Sequence, residues 1–336
     1  MTGALLLRAG LGLLPVTCFL VALVMMDSYK LVRLRVVAGV IAAGGLAAVA
    51  SYFANGALIE ATGLGFDAYA RIVSPAVEEA LKAAVVVALV RAHRIGFLVD
   101  AAILGFAVGT GFALVENLTY LQRLADAHLA TWIVRGFGTA LLHGGVQSIF
   151  AVWLLSLVDR KGLGPGTVAV PLLAAMVLHA AFNQFVLPPI WQTLLLLAVL
   201  PALLVLVYSR SEAAVRGWLG DGFDADRDLL ALLDSGGFHE SHQGRYLDAL
   251  RAHFHGGVVA DLLCYLRLHV ELALRAKGVL MMREEGLDVP PDEATKARFE
   301  EMRYLEATVG PTAMRALKPL LHMSRRDLWQ LHMLGK

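Results

Sequence analysis

Charge is scarce in this chain. Asp, Glu, Lys and Arg make up 17% of its 336 residues, where a soluble domain carries about 25%. Hydrophobic residues reach 58%, with a mean hydropathy of +0.65. A simple soluble protein is excluded. Charge of one sign is missing too: 29 Lys and Arg meet 28 Asp and Glu, a net +1. The basic footprint of a nucleic-acid binder is therefore absent, and no nucleic-acid partner is expected. Cysteine is rarer still. Cys18 in the first apolar run and Cys264 far downstream supply no disulfide framework and no Cys-based zinc site. Three hydrolytic signatures are also lacking. His239-Glu240-Ser241-His242 has the wrong spacing for an HExxH motif. Asp100 is the one aspartate inside an apolar segment, too few for a two-aspartate site. Ser148 and Ser156, the deepest serines, lack a Gly-x-Ser-x-Gly setting.

What charge there is lies unevenly. Residues 1–209 hold 12 Lys and Arg and 9 Asp and Glu, leaving 17 and 19 for residues 210–336. This predicts an all-α architecture of two parts: a transmembrane helix bundle over 1–209 and a soluble helical domain over 210–336. A bilayer core about 30 Å thick needs about 20 apolar helical residues. Seven segments meet that measure, roughly 3–26, 31–53, 70–90, 96–121, 131–157, 168–187 and 190–208. The less hydrophobic stretch from Ala54 to Tyr69, with Gly56, Gly63 and Gly65, is a candidate eighth, interfacial piece. Gly3 to Met26 is apolar apart from Arg8 and has no small-residue cleavage site before Asp27. It reads as a retained span rather than a signal peptide.

Lys and Arg gather on the cytoplasmic side of membrane loops. Lys30, Arg33 and Arg35 follow the first span, Arg91 and Arg94 the third, Arg160 and Lys161 the fifth, Arg210 and Arg216 the seventh. The alternation puts the N-terminus outside and residues 210–336 in the cytoplasm of a multi-pass cell-membrane protein. Glu60, Asp67 and Asp126 fall in the opposite loops. From Ser211 onward, apolar residues recur at helical spacing, as in Tyr246, Leu247, Leu250 and Phe254, and in Leu262, Leu266, Val270 and Ala273. Gly220-Asp221-Gly222, Gly236-Gly237, Gly256-Gly257, Pro290-Pro291 and Gly310-Pro311 read as turns dividing this part into about six short helices.

An ionisable group near the bilayer centre costs about 2.5 to 3.5 kcal/mol on insertion scales, so each one in the body needs a reason. The third span carries Glu78, Glu79 and Lys82; the fourth, Asp100 and Glu116; the fifth, Arg135 and His143; the sixth, His179 with Asn183. At about 1.5 Å per residue, Glu78, Glu79, Glu116, His143, His179 and Asn183 fall in the outward half of their helices, whereas Asp100 lies near the cytoplasmic end of its own. Spacing adds a constraint, since residues three or four apart share a helix face. Glu79 and Lys82, Glu78 and Lys82, His143 and Gln147, and His179 and Asn183 are such pairs. One arrangement satisfies both: a polar cavity lined by two carboxylates, an ammonium, two imidazoles and two carboxamides.

That set suits hydrolysis. A buried carboxylate can act as general base toward water, and imidazole and amide N–H groups can stabilise an oxyanion. Adjacent Glu78 and Glu79 would titrate as a coupled unit balanced by Lys82. Singly, the same residues have plainer readings. A lone transmembrane His or Asn is interhelical glue, and Glu78 with Lys82 is a structural pair. Asp100 beside Arg94 is interfacial, and Arg135 snorkels outward. Gly105, Gly109 and Gly111 let helices approach closely. Four helices converging at one depth is what favours a site over independent pairs.

The run Glu78-Glu79-Ala80-Leu81-Lys82, followed in order by Gly111-Phe112-Ala113, Glu116-Asn117, His143 and His179-Ala180-Ala181-Phe182-Asn183, resembles the PrsW-type intramembrane proteases. These are grouped with the CAAX prenyl endopeptidase and CPBP proteins as glutamic-type intramembrane proteases. The resemblance covers about residues 70–187. It implies that Glu78 or Glu79 activates water, that His143 and His179 support it, and that Asn183 is an oxyanion donor, with Lys82, Glu116 and Asn117 in supporting positions. The implied partners are a membrane protein substrate and the lipid bilayer. The family's anti-sigma substrate does not carry over, because nothing in this chain matches it and residues 210–336 lie outside the resemblance.

The expectation is an intramembrane endopeptidase with no cofactor, whose cytoplasmic domain engages a regulatory partner. A zinc site built from His143, His179 and a glutamate is the minority alternative, permitted by ligand type. A proton-coupled transporter using the same Glu and His residues and a non-catalytic receptor or scaffold are the rival functions.

Overall fold

The computed structural model describes residues 3–124, 127–287, 292–321 and Trp329. Asp126 and the Pro290-Pro291 turn signal lie outside the described residues. Every regular element among the described residues is helical, and the chain divides into two compact units, Met1–Glu212 and Ala213–Lys336.

The first unit opens with α1 (Gly3–Met25) and α2 (Leu34–Thr62). The short α3 (Phe66–Ala68) leads through a π-helical segment, Tyr69–Val73, straight into α4 (Ser74–Arg91). Then come α5 (Leu98–Arg123) and α6 (Leu129–Ile133), which continues through a second π-helical segment, Val134–Ala140, into α7 (Leu141–Lys161). Next are α8 (Pro165–Asn183) and α9 (Pro189–Asp234). Among the described residues, six helices are long and apolar enough to cross a membrane: α1, α2, α5, the α6–α7 run, α8 and α9. The expected third span, α4, is outside that set because its 18 residues include Glu78, Glu79, Lys82 and Arg91. Most of the Ala54 to Tyr69 stretch is no separate piece. It continues α2 to Thr62, where Gly63 ends the helix in the left-handed region at φ 64°.

α5 is the axis of this unit, with an unbroken buried run from Val99 to Ala113. Its glycines explain how neighbours come so near. A Cβ on Gly109 would fall onto the His143 carbonyl, and one on Gly111 onto the Ile41 carbonyl. Gly44 of α2 meets the Val108 backbone in the same way. Close backbone contact through small residues is how helices associate where there is no water to expel. It also sets the depth at which α7 presents His143 to α5.

In the second unit, α10 (His242–Ala249), α11 (Gly256–Glu284) and α12 (Glu293–Leu317) follow the tail of α9. Leu262, Leu266, Val270 and Ala273, the predicted stripe, are buried. Gly220-Asp221-Gly222 is not a turn, for α9 runs through it to Asp234. The physical reason for glycine there is space, since a Cβ on Gly222 would meet Lys277 Cε at 2.8 Å. Lys277 itself is buried and donates to Asp226 Oδ2 at 2.5 Å. Gly310-Pro311 is a kink within α12, with Gly310 at φ 82°.

Candidate active site

Glu79 is the hub of a buried polar cluster, its side chain wholly unexposed. Its Oε1 accepts from Lys82 Nζ at 2.5 Å and from His179 Nδ1 at 2.8 Å, while Oε2 accepts from Gln147 Nε2 at 2.5 Å. The i, i+3 pair of α4 thus forms, and α7 and α8 each send a donor to the same carboxylate. A buried carboxylate is tolerated only when its lone pairs are filled like this. Such saturation also leaves Glu79 little capacity to take a proton from water.

Glu78 points elsewhere. Its Oε1 accepts from Ser74 Oγ at 2.7 Å, and Oε2 has no hydrogen-bond partner although the atom is buried. That oxygen stands 3.9 Å from His179 Nε2. Because His179 Nδ1 donates to Glu79, its Nε2 keeps a lone pair. The expected Glu78–Lys82 contact gives way to these two, since Lys82 is taken up by Glu79 and His143.

His143 is committed on both sides. Lys82 Nζ lies 2.9 Å from Nδ1, and an ammonium can only donate, so Nδ1 accepts and the ring proton sits on Nε2. That proton faces Glu116 Oε2 at 3.2 Å. The His143 and His179 rings stand perpendicular with centroids 4.9 Å apart, and Phe112 backs His143 at 5.0 Å. Asn183 lies at the edge, donating one amide proton to Ala70 O at 3.3 Å. Asn117 belongs to a neighbouring knot, donating to Gly12 O at 2.7 Å.

Arg135 does not snorkel outward. Its NH2 pairs with Glu116 Oε2 at 3.2 Å, its Nε donates to Asn117 Oδ1 at 2.9 Å, and its guanidinium stacks on Tyr120 at 3.5 Å. Glu116 reaches it from α5, so the cation is neutralised inside the bundle. Asp100 serves as a cap, accepting from Gly96 N at 2.7 Å and Phe97 N at 3.1 Å at the start of α5. Ser148 spends its hydroxyl on Ala102 O at 2.7 Å. Sequence reasoning missed Ser74 altogether; its one signal was the i, i+4 spacing to Glu78.

Glu78, His143 and His179 offer ligand atoms that all lie within 4.8 Å of one another. Two imidazoles and a carboxylate form a zinc donor set by type. A metal, however, needs a free lone pair on each imidazole. His179 Nε2 and Glu78 Oε2 meet that need, whereas His143 spends Nδ1 on Lys82 and its Nε2 proton on Glu116. In this arrangement the residues do not fit a three-ligand metal site.

A family model described as PrsW family intramembrane metalloprotease matches residues 28–208, more than half of the chain. No curated protein and no solved structure matches it.

Proposed function

The chain belongs to the PrsW family of intramembrane proteases, and from that premise we propose that it cleaves a peptide bond of a membrane-embedded protein using water activated by Glu78, with no metal ion. The observation that carries this reading is the facing pair of Glu78 Oε2 and His179 Nε2, 3.9 Å apart. Both atoms are acceptors, and one water about 2.8 Å from each can donate a proton to each. Such a water has its oxygen lone pairs turned away from both, toward an incoming carbonyl carbon. As its oxygen bonds to that carbon, the proton passes to Glu78 or His179. The same proton then goes to the amide nitrogen as the C–N bond breaks.

Glu79 holds the Nδ1 proton of His179 and so keeps the lone pair on Nε2, while Lys82 neutralises Glu79 and sets the His143 tautomer. The second amide proton of Asn183 is the donor for the oxyanion, and His143, held between Lys82 and Glu116, supports the site from behind. The site lies in the outward half of the cell membrane, with the N-terminus outside. Residues 210–336 are cytoplasmic and meet a regulatory partner there.

Glu78→Gln tests the reading. It keeps shape and the Ser74 bond but removes the base, so cleavage of a single-span peptide should fall by at least roughly 100-fold. Unchanged cleavage in that variant, with loss of proton flux in proteoliposomes, would favour a transporter instead.

A further inference from the structure

We propose that Tyr69, Asn55 and Ser74 form a one-directional hydrogen-bond relay that aims Glu78. They are positioning residues for the hydrolysis proposed above, on which this inference rests. Four contacts define the relay. Tyr69 Oη lies 2.9 Å from Asn55 Oδ1, and Asn55 Nδ2 lies 3.0 Å from both Ser74 Oγ and Ser51 Oγ. Ser74 Oγ lies 2.7 Å from Glu78 Oε1. Tyr69 and Ser51 are buried.

The direction of every proton follows from the last link. An ionised carboxylate only accepts, so the Ser74 hydroxyl, which has one proton, must give it to Glu78. Ser74 Oγ is then an acceptor toward Asn55, which must present its amide nitrogen rather than its oxygen. With both amide protons spent on Ser74 and Ser51, the Asn55 carbonyl oxygen faces Tyr69, whose hydroxyl must donate. Apart from the branch to Ser51, the protons therefore run from Tyr69 toward Glu78, and the chain has no consistent alternative while Glu78 is ionised. Polarised chains of this kind strengthen their terminal bond.

Two consequences bear on the site. Oε1 is engaged by Ser74, which restrains the carboxylate and leaves Oε2 as the oxygen that meets water opposite His179 Nε2. The relay also spans three elements: α2 supplies Ser51 and Asn55, the π-helical segment supplies Tyr69, and Ser74 is the first residue of α4. The π-helical Tyr69–Val73 sits immediately before Ser74. Local π geometry of this sort re-aims the side chains that follow it and recurs at functional sites. Nothing in the family motifs named above includes Asn55, Tyr69 or Ser74.

The test uses the full chain in detergent and a quenched fluorogenic peptide containing one transmembrane segment. Ser74→Ala should lower kcat roughly tenfold with KM within about twofold, because the lost bond aims a reacting group rather than holding substrate. Ser74→Thr, which keeps the hydroxyl, should restore kcat to within about threefold of wild type. Tyr69→Phe, at the far end, should lower kcat by about threefold, and it serves as the reading if Ser74→Ala fails to fold. Wild-type kcat in Ser74→Ala, in a protein that Glu78→Gln silences, overturns the relay and leaves the proposed function standing. Equal impairment of Ser74→Ala and Ser74→Thr also overturns it. Peptide release that is the same in wild type and Glu78→Gln protein overturns the site reading and the relay together.

Discussion

Lys82 Nζ stands 2.9 Å from His143 Nδ1, and that contact decides which proton the imidazole carries. The ammonium is held in place from the other side by Glu79 at 2.5 Å. His143 is thereby a proton donor toward Glu116 rather than a lone-pair donor toward a cation. The geometry of one buried lysine thus separates two chemistries that the ligand types alone leave equal.

The first prediction follows from that separation. Exhaustive chelation should leave cleavage within about twofold of the untreated enzyme, and purified protein should hold well under one zinc per chain. His179→Ala should abolish cleavage without altering metal content, as read by elemental analysis. Stoichiometric zinc that disappears in His179→Ala would mean that Lys82 gives up His143 in the working enzyme, and a metal mechanism would replace the one argued here.

The second concerns the division of labour between the adjacent glutamates. Glu79→Gln removes one charge of a fully buried pair and strands Lys82, which should cost about 3 to 5 kcal/mol of stability. Its thermal midpoint in detergent should drop clearly. Glu79→Gln combined with Lys82→Met should recover most of the midpoint yet remain inactive, since the ammonium that sets the His143 tautomer and the charge that holds the His179 proton are then both gone. Glu78→Gln, by contrast, should melt near wild type. If Glu79→Gln melts like wild type and loses only activity, Glu79 is the base and the roles are reversed.

The composition of the candidate site was legible in the sequence, but its wiring was not. Glu78, Glu79, Lys82, His143, Gln147 and His179 were legible because each sits in an apolar helix where polarity is costly. Spacing also found the Glu79–Lys82 pair. Partners supplied by other helices left no trace at any fixed spacing. Arg135 therefore read as an outward cation although Glu116 and Asn117 receive it, and the link from Asn55 to Ser74 was invisible across 19 positions. Glycine misled in the second unit for a related reason. Gly222 marks a close approach by Lys277 rather than a turn, and periodicity cannot tell those two uses apart.

The third prediction tests the close packing that sets the register of His143. A methyl group at Gly109 would strike the His143 carbonyl, and backbone cannot give way as a flexible side chain can. Gly109→Ala should therefore force α5 and α7 apart, with destabilisation of about 1 to 3 kcal/mol for overpacking and a larger proportional loss of activity. Gly39→Ala, where nothing lies within 4 Å of the added carbon, is the matched control and should be neutral. Equal behaviour of the two variants would show that α5 and α7 accommodate the methyl without moving His143.

The last prediction concerns where the catalytic unit ends. Residues 210–336 carry none of the proposed catalytic groups, so a shortened chain should retain the chemistry if it retains the first unit. The cut must respect the end of that unit. Tyr208 is buried and donates to Leu23 O at 2.6 Å, and the unexposed Ser211 Oγ accepts from Val99 N at 3.1 Å near the start of α5. A chain ending at Glu212 keeps both. It should insert, stay folded in detergent and cleave a single-span peptide in a Glu78-dependent way. A chain ending at Arg210 loses the Ser211 acceptor and leaves a buried backbone N–H unmatched, a cost of about 1 to 3 kcal/mol. Its thermal midpoint should lie measurably below that of the longer form. Were the chain ending at Glu212 folded yet inert toward every peptide that the full chain cuts, residues 213–336 would have to take part in cleavage directly, and a purely regulatory role for them would be wrong.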